Sequence, residues 1–370
     1  MRILHISSDY CWTKVYPNIV SNLIDCSVDQ TIYIPTRSAL EEGKNQVPGA
    51  VFIYSHVLRI WMKLFFFLKI KSISKDLSEK VVFDDVKLMH THFLFTDGGA
   101  AYHIKKKYGI KYITTVRNTD VNLYFKYFVH ARSYALKVMR NSEAIIFLSP
   151  AYRDHVFSKY IPNKLHKTLG DKCFVIPNGI DSYWHSNILK KPKTLGKVVR
   201  FVCVCELSKN KNIHKTIGIV KEFRKIQECQ LTIIGGSGDY SAKILKLVNE
   251  NKDFVSYEGE VRDKNELLKY LRSSSLFIMP SEYESFGLVY IEAMSQGLPC
   301  IYTRGQGIDG YFRPGKIGYP VNPDDIDDTK NIILEILSNY ETISENALLA
   351  VQNFEWMKIV KKYIEIYKEL

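Results

Sequence analysis

Short β-branched runs alternate with helical stretches along almost the whole chain, and this alternation confines it to an α/β architecture. Strand-like runs fall at 2–6, 31–34, 51–54, 87–91, 112–116, 144–148 and 173–176, with helices expected around 17–25, 98–107 and 122–140. A second series occupies 198–205, 230–234, 254–257, 276–279 and 299–302, separated by helices near 212–227, 239–250, 263–272, 287–296 and 324–339. Each series reads as a parallel sheet wrapped by helices, a Rossmann-like doubly wound domain. At 370 residues the chain exceeds what one core usually serves, so two domains facing a central cleft are expected.

The join falls at Ile176-Pro177-Asn178-Gly179-Ile180-Asp181, where proline and an Asn-Gly pair end a strand and turn the chain. Residues 183–197 are polar and lysine-rich, as a linker is. The end of the chain, Glu355 to Glu369, is a helix with apolar positions at Ile359, Val360, Tyr363, Ile364 and Tyr367 and no strand after it. The expected domains are 1–178, with 355–370 as a returning helix, and 179–354.

Charge is uneven. The net charge is +12, yet residues 1–178 hold 25 Lys+Arg against 14 Asp+Glu, and the remainder 26 against 25. A basic half facing an anionic partner fits this better than general solubility does. Seven widely spaced cysteines, most in apolar strand-like segments, read as buried thiols of a cytoplasmic protein. Cys203 and Cys205 share a strand face, but no second pair at zinc spacing follows, so no metal is expected there. The chain opens at once on the strand Met1-Arg2-Ile3-Leu4-His5-Ile6, and its longest apolar stretch, Ile60 to Leu68, is interrupted by Lys63. Neither a signal peptide nor a membrane span is expected.

The chemistry concentrates in Met279-Pro280-Ser281-Glu282-Tyr283-Glu284-Ser285-Phe286-Gly287-Leu288, a buried strand that leaves the sheet and turns into a helix near Gly287. In open α/β sheets ligands bind outside the carboxyl ends of the strands, and a helix start there offers unpaired amides to a diphosphate. Glu284 then sits in the loop, either accepting sugar hydroxyls or capping the helix. Glu292 lies inside the helix, several ångströms along at about 1.5 Å per residue, a ribose's distance from a diphosphate. It is embedded in Val289-Tyr290-Ile291-Glu292-Ala293-Met294, too apolar for a solvated face, and a buried carboxylate needs partners.

Pro280-Ser281-x-x-Glu284-Ser285-Phe286-Gly287-Leu288, followed by Glu292-Ala293-Met294 and Gly297-Leu298-Pro299, resembles the E-x7-E signature of glycosyltransferase family 4. Four further stretches keep the family's order: the 176–181 join, Lys211, Gly235-Gly236-Ser237-Gly238 and Phe354-Glu355-Trp356. The resemblance implies a GT-B fold and a metal-independent enzyme that retains anomeric configuration, needs no cofactor and uses a UDP- or GDP-sugar as co-substrate. It implies that Glu284 contacts the donor sugar, Glu292 the ribose, and Ser285, Phe286, Gly287 and Leu288 the diphosphate, with Gly236 and Lys209 nearby. Lys211 would neutralise the diphosphate as it leaves.

Three positions depart from the family. The first loop, Ser7 to Pro17, has no glycine pair but carries Tyr10, Trp12 and Tyr16; Cys205-Glu206 replaces a Gly-Arg pair; and Thr114-Thr115-Val116-Arg117-Asn118-Thr119-Asp120 puts arginine where members often have an active-site histidine. Arg117 either contacts phosphate or sugar, as a catalytic group, or bridges to Asp120. On the acceptor side the candidates are His92, Asp120, Asn118 and Tyr10. His90 and His92 share a strand face without an evident third metal ligand, so His92 turns toward the acceptor or packs at the strand end. The D-x-D within Asp324–Asp328 opens a helix, which capping explains.

Leu58 to Lys75 interleaves Arg59, Lys63, Lys69, Lys71 and Lys75 with Trp61, Phe65, Phe66 and Phe67. It is either an interfacial helix on an anionic membrane or a core helix with a solvated rim. A saccharide or lipid-diphosphate-saccharide acceptor on the inner face of the plasma membrane follows by analogy, as in bacterial capsule or O-antigen assembly. Nucleic acid is not expected, since no binding motif accompanies the basic pI. The alternatives are a GT-B-like sugar epimerase and a catalytically impaired glycan-binding protein.

Overall fold

The computed structural model describes every residue except Met1 and Leu64, and only the backbone of Lys63. The first residue of the expected opening strand and Leu64 of the 58–75 segment thus lie outside the described residues. The chain divides into two compact units, one made of Met1–Leu148, Arg153–Asn178 and Trp356–Leu370, the other of Ser149–Tyr152 and Gly179–Glu355.

The first unit holds seven parallel strands: β1 (Arg2–Ile6), β2 (Asp29–Pro35), β3 (Val51–Ser55), β4 (Val86–Thr91), β5 (Lys111–Val116), β6 (Ala144–Phe147) and β7 (Cys173–Val175). Their order across the sheet is β3-β2-β1-β4-β5-β6-β7, so the side on which successive strands are added reverses between β1 and β4. The second unit holds β8 (Val199–Val204), β9 (Cys229–Ile234), β10 (Val255–Tyr257), β11 (Leu276–Ile278), β12 (Cys300–Thr303) and β13 (Gly318–Val321) in the order β10-β9-β8-β11-β12-β13. Its reversal lies between β8 and β11. Both sheets are thus doubly wound, and each reversal opens a crevice at the carboxyl ends of two neighbouring strands.

The central strands are apolar on both faces because helices cover both; Ile3, Leu4, Ile6, Phe201, Val202 and Cys203 are fully buried. The C-terminal helix Trp356–Glu369 belongs to the first unit, where Ile359, Val360, Tyr363 and Tyr367 pack with Tyr16, Ile19, Val20 and Leu23 of the helix Val15–Asp25. Each such side chain, fully buried, contributes roughly 1.5–3 kcal/mol relative to exposure. Of the apolar positions expected on this helix, Ile364 is only partly buried and Ile366 takes its place in the core.

Several elements differ from expectation. The helix expected at 122–140 is split into π-helical turns over Asp120–Phe125 and the helix Val129–Asn141, and Arg132 Nε donates to the Phe125 carbonyl across the break. Residues 58–75 form a 3₁₀ turn, Ile60–Lys63, and the first part of the helix Phe66–Lys80. The expected linker 183–197 contains most of the helical turn Ser182–Ser186, capped by Asp181 and pinned by the buried Trp184. β13 and the helices Pro150–Tyr160 and Tyr340–Val351 were not among the expected elements, although Tyr340, Ile343, Ala347, Leu348 and Val351 keep a helical spacing.

Candidate active site

In the second unit, the loop after β8 and the loop after β11 meet at the sheet reversal. Asn210 joins them: its Nδ2 donates to the Tyr283 carbonyl at 3.0 Å, its Oδ1 accepts from the Tyr283 amide at 3.0 Å, and its own carbonyl accepts from the Glu282 amide at 2.7 Å. Asn212 adds a buried bond from Nδ2 to the Pro280 carbonyl, 2.9 Å, from a left-handed backbone (φ 52°) that asparagine tolerates better than most residues. These bonds bring Lys211 Nζ to 2.8 Å from Glu284 Oε2. Burial opposes the charge on Lys211, but Glu284 overrides it and holds the ammonium pKa above its usual value.

Glu284 is also fixed through its backbone. Its amide donates to Gln306 Oε1 at 3.1 Å and its carbonyl accepts from the Gly307 amide at 2.7 Å, both on the loop after β12. Its side chain is 13% exposed, screened yet reachable, and one carboxylate oxygen is not needed by Lys211. Three residues on, Gly287 has φ 81°, and a Cβ there would lie 2.5 Å from the Tyr290 ring. Only glycine fits both demands. The helix Leu288–Met294 starts at this point and runs for 7 residues. The amides of Ser285, Phe286 and Gly287 have no protein acceptor among the described residues.

Glu292 projects from this short helix toward the 181–184 turn. The Trp184 indole stands by its carboxylate, with Asp181 and Lys264, themselves paired at 2.6 Å, nearby. Burial first, then Asp181, push its pKa up to about 7, against the pull of Lys264 and Trp184. The carboxyl is therefore poised between its two forms near neutrality.

The glycine run serves backbone packing. Gly235 (φ 155°) lies where a Cβ would overlap the Cys205 carbonyl at 1.7 Å, and a Cβ at Gly238 would crowd the Leu207 backbone at 2.7 Å. These glycines let the loops after β8 and β9 touch, with Leu207 N donating to the Gly236 carbonyl at 2.9 Å. Gly236 itself has room, and Lys209 is exposed, its amide donating to Asp239 at 2.9 Å. The two groups are at the same crevice, but no bond ties Lys209 to Glu284. Asp325 caps the helix Ile326–Ser338 by accepting from the Asp328 amide at 3.0 Å.

In the first unit, the acceptor-side candidates separate. Asp120 is fully buried and accepts from the amides of Arg117 (2.9 Å), Leu94 (3.0 Å) and Phe95 (3.1 Å). It ties the loop after β5 to the loop after β4, and burial raises its pKa to about 6 despite those bonds. An acceptor group would have to displace three amides, so Asp120 is a structural anchor. Tyr10 is likewise 1% exposed, stacked on Tyr16 and edged by Phe52, and does not reach solvent. Asn118 is exposed and accepts from Asn122.

Arg117 bonds Asp120 through its backbone only. Its guanidinium is 8% exposed, lies over the Tyr16 ring at 5.1 Å, and reaches Asn178 Oδ1 at a long 3.4 Å. Nε and Nη2 have no hydrogen-bond partner among the described residues. A buried cation left with unused donors is costly in a resting protein unless an anion or hydroxyl completes it.

His92 packs rather than projects. It is 2% exposed, and its Nε2 lies 3.0 Å from Nδ1 of His5. His5 pairs in register with His90 across β1 and β4, so the third imidazole that the spacing of His90 and His92 did not reveal comes from the neighbouring strand. All three are buried, with ring nitrogens within 4.8 Å of one another, and burial holds their pKa values far down, that of His5 at about 3. His90 is already used, 2.6 Å from the Tyr367 hydroxyl and 3.1 Å from Thr115.

Known proteins resemble this chain along its whole length. Residues 18–183 match the family described as Glycosyltransferase Family 4, and residues 186–348 match glycosyl transferases group 1. An uncharacterized glycosyltransferase of Methanocaldococcus jannaschii is 26% identical over 100% of this chain and 99% of its own. Sucrose-phosphate synthase from Thermosynechococcus elongatus superposes with a TM-score of 0.73 at 19% identity, covering 100% of this chain and 98% of that one. Anabaena HepE in complex with UDP does so with a TM-score of 0.70 at 16% identity, each chain fully covered. The fold is therefore GT-B, and the chain belongs to the group 1 glycosyltransferases of family 4.

Proposed function

We propose that this enzyme is a retaining, metal-independent glycosyltransferase whose second unit holds a nucleotide-sugar at the β8/β11 reversal. The observation that carries the reading is the Lys211–Glu284 pair, 2.8 Å long and clamped from three loops, beside amides with no acceptor. The solved UDP complex of a protein of the same fold supports a nucleotide as ligand.

Each group then has a task. Glu284 keeps one carboxylate oxygen for donor-sugar hydroxyls, and Lys211 meets the charge that builds on the departing diphosphate. The free amides of Ser285, Phe286 and Gly287, with the first helical amide of Leu288, take phosphate oxygens. Glu292, ionised, accepts from the ribose. Lys209 and Gly236 border the same space. Arg117 completes its unused donors on a sugar or phosphate oxygen of a bound substrate. The acceptor is a saccharide or a lipid-diphosphate-saccharide, and we place the enzyme in bacterial surface-polysaccharide assembly at the inner face of the plasma membrane, which the basic balance of residues 1–178 supports.

The stereochemical test is product analysis by proton NMR in excess chelator, with the donor that binds best. The reading expects transfer or slow donor hydrolysis with the donor's anomeric configuration kept. An inverted product, or activity abolished by chelator and restored by a divalent metal, would refute it.

A further inference from the structure

The first unit contains a cavity of about 450 Å³ at the carboxyl ends of its strands, lined by three cations and an apolar wall. Arg37, Arg59 and Lys69 supply the cations; Leu58, Met62, Phe93, Tyr124 and Phe128 supply much of the wall. None of the three cations forms an ion pair among the described residues. Lys69 is only partly exposed, burial depresses its ammonium pKa, and Asp97 partly offsets that while Arg37 adds to it. Asp97, fully buried, is engaged by the Ser8 amide at 3.1 Å and by the Ser8 hydroxyl. One carboxylate, Asp9, also lines the cavity, facing Arg37 and Arg117, so three cations stand against one lining anion and the cavity keeps an excess of positive charge next to hydrocarbon. A sugar alone would satisfy neither feature.

Residues close in the chain to the lining residues Arg59, Met62 and Phe128 form an apolar, exposed rim to the segments that wall the cavity. Ile60 is 78% exposed, Phe65 53% and Tyr127 64%, and Trp61, Phe67 and Val129 are exposed with them. Ring contacts between Phe66 and Tyr124, 5.5 Å, and between Phe67 and His130, 6.4 Å, join the 60–68 and 123–130 segments into one patch. Lys71 and Lys75 are exposed one and two turns along the helix Phe66–Lys80. Aromatic and aliphatic side chains ringed by cations match the interface of an anionic bilayer.

We propose that this cavity binds the phosphate end of an anionic amphiphile, a lipid phosphate or lipid diphosphate that enters from an anionic membrane on which the rim docks. Lys69, Arg37 and Arg59 take the phosphate, and the first apolar segment of the lipid lies on Leu58, Met62 and Phe128. As the acceptor class of the enzyme, it rests on the transferase reading above; as a binding site, it does not.

The test is calorimetric titration of the full chain with monomeric farnesyl phosphate, with farnesol and inorganic phosphate as controls and UDP as the donor-site probe. Flotation with phosphatidylcholine vesicles holding about 30% phosphatidylglycerol reads the rim. Farnesyl phosphate is expected to bind at least about tenfold more tightly than either control, and Lys69→Gln to weaken it about tenfold while leaving UDP binding unchanged. The pair Trp61→Ser with Phe65→Ser is expected to cut vesicle binding about tenfold, again without effect on UDP. Inorganic phosphate binding as tightly as farnesyl phosphate, indifference to Lys69→Gln, or no flotation at low salt would overturn the proposal. Loss of UDP binding in the wild type with farnesyl phosphate binding intact would sink the donor reading alone.

Discussion

Glu284 and Glu292 share a sequence block but not an environment. Glu284 has a cation at 2.8 Å and two backbone anchors, so replacing it strands Lys211 in a partly buried place and, on the proposed donor reading, removes a sugar contact. Glu284→Gln should lower kcat by roughly 10²–10³ with nucleotide affinity nearly kept, which steady-state kinetics beside a nucleotide titration will resolve. Glu292 forms no ion pair among the described residues, and burial, with Asp181 beside it, pushes its pKa up to about 7. Because that value is above the unfolded one, the folded protein binds the extra proton between pH about 4.5 and 7, and stability falls as pH rises through this window. Glu292→Gln should flatten that fall, raising apo stability at pH 8 by ~1–3 kcal/mol in denaturant melts, while nucleotide affinity drops about tenfold. Gain of stability with loss of binding would mark a strained functional carboxyl; loss of both would mark a structural one.

The elements explain what the sequence could and could not disclose. Both Lys211 and Glu284 were legible as loop residues after strands, because the runs before them are apolar and β-branched. Their meeting was not, since it depends on β8 lying beside β11, and strand order leaves no mark on periodicity. Gln306 and Gly307 were overlooked, although the glycines of Gly305-Gln306-Gly307 after β12 marked a tight turn. His5 escaped for the same reason as the loop pair: it lies 85 residues before His90 and is its register partner. The three imidazoles are neutral when folded and would protonate when unfolded below pH about 6.5, so their burial costs stability as pH falls from there toward the folded value of about 3. Thermal melts between pH 7 and 5 should show this acid loss, reduced in His5→Asn relative to the wild type; an unchanged slope would mean that other groups carry it.

At the scale of the molecule, the chain completes the core of its first unit with its last helix, Trp356–Glu369, which also supplies the Tyr367 hydroxyl to His90. Ile359→Ala, at a fully buried position, should cost ~2–5 kcal/mol in the first unit and leave nucleotide binding in the second intact. The uneven charge of the chain has a matching structural feature in the three cations that line the first unit's cavity, whereas Lys211 of the second unit is held against Glu284. The central claim is that the second unit holds a nucleotide-sugar between Lys211, Glu284 and Glu292. It is tested most directly by calorimetric titration of the intact chain with UDP-, GDP- and ADP-sugars, repeated on Lys211→Ala and Glu292→Ala. The account predicts micromolar binding of at least one of them, weakened about tenfold or more by each substitution; binding of none, or binding indifferent to both substitutions, would contradict it.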